Sequence, residues 1–166
     1  MTRITRLGLI VATIPWLLGG LGVGTAAAQE PQKQPFSFVG HGVVNCGTFE
    51  DDFTDFFNGT ETLYFDSAGD PIRDVLNVEH HSDDVNSVTG LVLHEHGHFT
   101  VTVDLATGDV TIVGNQEVLT RPGFGLGVQD VGRVIFDANG DLIFFAGGRQ
   151  RSQLLLGDQL FCEVLA

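Results

Sequence analysis

The sequence predicts an all-β fold: a single antiparallel β-barrel of about eight to ten strands, with a sandwich as the alternative and at most one short helix. Three observations carry this. Apolar residues alternate with threonines in Phe99-Thr100-Val101-Thr102-Val103 and in Val110-Thr111-Ile112-Val113, the period-two pattern of a strand with one buried and one wet face. Three segments share the layout strand, aspartate-bounded turn, strand. Between them no long helical period occurs.

Taken in order, the chain opens with Arg3 and Arg6, then an apolar run from Leu7 to Leu18, then Ala26-Ala27-Ala28. Basic, apolar and small-residue regions in that sequence describe a cleavable export signal over residues 1–28. Gly19, Gly20, Gly22 and Gly24 weaken the run as a membrane-spanning helix, and Gln29-Glu30-Pro31 rather than basic anchors follow it. Residues 29–35 (QEPQKQP) carry no apolar side chain and are expected to be a disordered lead-in. The remaining span, 36–166, is expected to be one barrel-like domain, since the 138 residues left without the signal suffice for one ordinary core and not for two.

Removing the signal leaves six Lys and Arg against 21 acids, a formal charge of −15. Nucleic acid and anionic membrane are poor partners for such a surface, and no stable membrane insertion is expected once the signal is cleaved. The two cysteines, Cys46 and Cys162, are expected to form one disulfide in an exported protein. A catalytic thiol is the rival reading, and no sequence context supports it.

Strands are expected at Ser37 to Val44, Val88 to His94, Gln116 to Leu119 and Gln159 to Leu165. The three hairpins are Thr62 to Glu79 around Asp66–Asp70, Phe99 to Val113 around Asp104–Asp109, and Val131 to Ala146 around Asp137–Asp141. Each turn offers a glycine for a positive φ angle, and Asn139-Gly140 is a strong hairpin signal. Thr48 to Gly59 is ambiguous: Phe49, Phe53, Phe56 and Phe57 fall at helical spacing, so the one short helix is placed there.

Several polar groups are candidate sites. His94, His96 and His98 lie two apart and share one face of an extended strand, so three imidazoles converging on a metal such as zinc or copper are one reading. The alternatives are an outward, solvated set, or a hairpin tip at Glu95-His96-Gly97. His80 and Asp74 fall on the inward face if Leu76 and Val78 do, which would give a base and an acid inside the barrel; a merely satisfied buried histidine is the plainer reading. Asp137, Asn139 and Asp141 mimic the start of a calcium loop, but Gly148 stands where its closing glutamate belongs, which favours a hairpin. No cofactor is implied.

From about Cys46 to Cys162 the chain resembles a group of small exported actinobacterial proteins of uncharacterised function. The resemblance rests on the early cysteine, the block from Thr89-Gly90 through Phe99–Asp104 to Thr107-Gly108, the block Gly132–Asp137, and the closing cysteine. The layout is also similar to the barrels of the dirigent and allene oxide cyclase class, which implies a barrel holding an apolar or phenolic ligand and carries over no catalytic residue. The expectation is therefore a secreted, acidic, non-catalytic β-barrel-like protein, with a phenylalanine-rich interior that either takes a small apolar molecule or is filled by its own rings. A barrel-type cyclase or isomerase using Asp74 and His80 is the alternative. Behind it stand a histidine-cluster metal binder and a cell-surface interaction module built on Glu50 to Asp55 with Phe53 and Phe56.

Overall fold

A computed structural model describes residues 29–123, 125–150 and 158–166, so the segment read as an export signal lies outside the described residues. Seven strands follow in chain order: β1 (Gln32–Asn45), β2 (Glu50–Phe65), β3 (Pro71–Asn86), β4 (Val92–Asp104), β5 (Val110–Arg121), β6 (Gly125–Phe136) and β7 (Leu142–Gln150). A helix, α1 (Asp158–Leu165), comes last. Each strand pairs antiparallel with the next, giving one sheet in the order β1 to β7. All-β architecture with one short helix is thus as expected, and the strands are fewer and longer. The segment Gln116 to Leu119, for instance, continues β5 and is not a strand of its own.

Four expectations need correction. Residues 32–35 are not a disordered lead-in: they pair with 60–63 of β2, and Pro35 is tolerated because β1 lies at the sheet edge. Thr48 to Gly59 holds no helix, since β2 is extended from Glu50 and bonded on both sides. A side chain at Gly59 would sit 1.9 Å from the Asn77 carbonyl, so glycine lets β3 approach there. Val88 to Gly90 is a turn, with β4 starting at Val92. Gln159 to Leu165 is helix, not strand.

An eight-residue helix is too short to persist alone. What holds α1 is burial: Leu160, Phe161, Val164 and Leu165 are buried and cluster with Leu93, Leu119 and Val128. Each such side chain contributes about 1.5–3 kcal/mol as an upper estimate. Arg121 Nη1 donates to the Val164 carbonyl at 2.7 Å and Asn86 Nδ2 to the Leu165 carbonyl at 3.2 Å, capping carbonyls that the helix leaves without partners. Cys162 on α1 is bonded to Cys46 in the turn after β1, Cα atoms 5.4 Å apart. The sulfur bridge therefore ties the helix to the β1–β2 turn.

The three aspartate-bounded turns share one mechanism. Asp66 Oδ1 accepts from the N–H of Ala68 and Asp70, Asp104 Oδ1 from Ala106 and Thr107, and Asp137 Oδ1 from Asn139 and Asp141. The glycines that reverse the chain, Gly69, Gly108 and Gly140, have φ of 89, 78 and 84°. At Asp137 the Asp141 N–H is the main cause holding the carboxyl below its usual range. Its oxygens are spent on the turn, which agrees with the hairpin reading over a calcium loop.

The inner face carries two apolar tiers. Phe57, Leu76, Val78, Phe99, Val101, Ile112 and Val134 form one towards the aspartate turns, with Phe36 and Phe136 packed against it. The other is the α1 tier at the opposite end, where the helix packs on both β3 and β6. Among the described residues no helix is long and apolar enough to cross a membrane.

Candidate functional site

Between the two tiers lies a polar belt, and strand pairing builds it. On β3 the residues Leu76, Val78, His80, Ser82, Asp84 and Asn86 alternate inward, while Asn77, Glu79 and His81 face outward. Register sets Ser82 between Asp55 of β2 and Glu95 of β4, and His80 between Phe57 and Gly97. On β5 the ladder shifts between Asn115 and Glu117, and this bulge buries the consecutive residues Gln116 and Glu117. Glu117 then stands opposite buried Asp130 of β6.

His80 is braced on three sides. Its Nε2 lies 3.3 Å from Asp55 Oδ1 and its Nδ1 3.6 Å from Glu95 Oε1, while the Phe57 ring stacks on it with centroids 4.5 Å apart. A ring with a carboxylate at each nitrogen is a cross-brace joining β2, β3 and β4. Of the two contacts, Nε2 to Asp55 is of hydrogen-bond length and Nδ1 to Glu95 is an ion-pair distance.

Asp74 is not part of this group. It shares the inner face of β3 with His80, but six residues along a strand separate them by about 20 Å. Its neighbour is Glu61. Burial first, then the Glu61 charge and a hydrogen bond with Glu61, raise the Asp74 carboxyl from 3.8 to about 6. The acid and base of the cyclase reading are therefore not brought together.

Most of the belt is deeply buried. Asp51, Ser82 and Asp130 have 0% exposure, and Asp84, Glu95 and Gln116 have 1%. A void large enough for water would count as exposed surface on the side chains lining it, so Asp51, Ser82 and Asp130 border none. Ser82 Oγ and both amide atoms of Gln116 have no hydrogen-bond partner among the described residues. The acidic stretch Glu50 to Asp55 does not form an outer patch either, because Asp51 and Asp55 point inward and are buried.

The outer face of β3 and β4 holds the remaining chemistry. His94, His96 and His98 are exposed at alternate positions of β4. Glu95-His96-Gly97 is not a hairpin tip but lies mid-strand. Gly97 is glycine because a Cβ there would lie 2.0 Å from the Gln116 carbonyl of the β5 bulge. Across the register Glu79 faces His98, His81 faces His96, and Asp83 faces His94. His94 Nδ1 lies 2.7 Å from Asp83 Oδ1, and the Phe56 ring stacks on His81 at 4.5 Å. Among the described residues no three metal-ligating side chains converge, so the three β4 histidines do not form a ready-made centre.

In the sequence His80, His81 and Ser82 read as one polar cluster and Glu95 as a neighbour of the β4 histidines, but nothing there joins Asp55 and Gln116 to them. Only strand register unites them, and a sequence alone leaves register open. No family model, curated protein or solved structure matches this chain.

Proposed function

We propose that the chain is a secreted, non-catalytic β domain that acts through its outer surface. Residues 1–28 direct export and are removed, the seven-stranded sheet curls into a barrel-like body around its two apolar tiers, and the sulfur bridge holds α1 as the floor. The observation that supports this reading is the burial of the belt: Asp51, Ser82, Asp84, Glu95, Gln116 and Asp130 are at most 1% exposed, and both nitrogens of His80 face acids. The interior phenylalanines then fill the core and line no chamber, as in other small barrels.

A second reading is supported by Ser82 and Gln116, since leaving such buried groups unpaired costs about 1–3 kcal/mol each. In that reading the body opens to admit a small molecule whose polar group meets them. Native mass spectrometry of the protein secreted by its own host tests both. The surface reading expects the mass of residues 29–166 less two hydrogens and nothing else. A co-purifying small molecule would establish the second reading, and retention of residues 1–28 with two free thiols would overturn both.

A further inference from the structure

The pair His81 and His96 differs from every other imidazole in the molecule. Both rings are exposed, they stand directly opposite on adjacent antiparallel strands, and their nitrogens are free of hydrogen bonds and ion pairs among the described residues. Directly opposed residues have Cβ atoms about 4.5–5.5 Å apart, whereas alternate residues on one strand are about 6.6 Å apart. We propose that His81 and His96 form a two-imidazole surface site for a divalent transition metal, copper(II) or zinc(II), completed by solvent.

Imidazole nitrogen suits both ions, with copper the tighter by intrinsic order. A metal–nitrogen distance of about 2.0–2.1 Å lies within reach of two rings rising from neighbouring strands. The Phe56 stack restrains the His81 ring, which lowers the entropy cost of fixing it. Asp83 and Glu79, on the same outer face of β3 at the two positions flanking His81, place negative charge beside the pair and favour a cation there. Each of those acids faces another histidine: Asp83 is engaged by His94, and Glu79 stands opposite His98. The pair is therefore the central rung of the face, and His94 and His98 lie to either side. With only two protein ligands the site is exchangeable, suited to capturing a metal or bridging to a partner's ligands. The inference needs the β3–β4 register alone and stands independently of the functional reading above.

Untagged protein lacking residues 1–28, titrated with Cu(II) and separately with Zn(II) by calorimetry at neutral pH, tests it. The expected result is a single-site isotherm, tighter for copper, that His81→Ala and His96→Ala each weaken about tenfold or more. His94→Ala and His98→Ala should leave it within about threefold. Thermal midpoints check that all four exposed variants fold. Equal losses in the His94, His96 and His98 variants would replace the cross-strand site with a single-strand cluster, and no heat with either metal would end the proposal.

Discussion

The inner and outer faces of β3 and β4 are built from the same residue types, histidine beside aspartate and glutamate, yet their surroundings differ completely. His80 is buried, stacked and held between two carboxylates; His81, its chain neighbour, is exposed with both nitrogens free. Nothing in the dipeptide distinguishes them. The alternation of the strand does, together with the partners that register supplies on each side. Chemistry that looks like one cluster in the sequence is divided by the sheet into a structural brace and an accessible rung.

That contrast can be broken most directly by substitution. His80→Ala leaves Asp55 and Glu95 facing each other across a buried gap, and should cost about 3–5 kcal/mol, as truncation of a large buried ring does. His81→Ala should stay within about 0.5 kcal/mol, the range of ordinary surface changes. Urea unfolding of the two variants measures both, and equal effects would erase the distinction between the faces. A smaller effect of opposite sign is expected at Gln116→Met, which fills similar volume and removes an unpaired amide. It should stabilise by about 1–3 kcal/mol; destabilisation would mean that the amide has a native partner, as the ligand-binding reading requires.

The hairpins were legible in the sequence because turn chemistry is local. Aspartate, a glycine three or four residues on, then aspartate closes its own hydrogen bonds within five or six residues. The polar belt was not legible, because carboxylates are read as exposed by default and their burial depends on strands up to forty residues apart. The helix was misplaced for a different reason. Phe53 and Phe57 sit on one face of β2 and Phe56 on the other, so their helical spacing arises from phenylalanine on both sides of a strand. Leu160, Phe161, Val164 and Leu165 carried the true helical stripe, in a segment short enough to pass for a final strand.

Two further tests sharpen the contrast at smaller scale. Gly140→Ala, at a φ of 84° with open space around it, meets backbone strain alone and should cost about 1–2 kcal/mol by thermal unfolding. A larger loss would mean that the turn packs on something beyond its own hydrogen bonds. Asp74 offers a pH readout from the inner face. Its folded-state value of about 6 lies above the ordinary 3.8, so its contribution is present below about pH 4 and is lost as pH rises through about 6. Solvent near this half-buried group reduces the effect to about 1 kcal/mol or less. Asp74→Asn should flatten that slope relative to the wild type, and an unchanged slope would assign it to other groups.

The division between the faces is tested most directly by labelling imidazoles in the folded protein with diethylpyrocarbonate and locating the adducts by fragment-ion mass spectrometry. His41, His81, His94, His96 and His98 should react, while His80 should stay unmodified until the protein is unfolded. Reaction of His80 at the rate of His81 would contradict the buried, braced position of His80 on which the account depends.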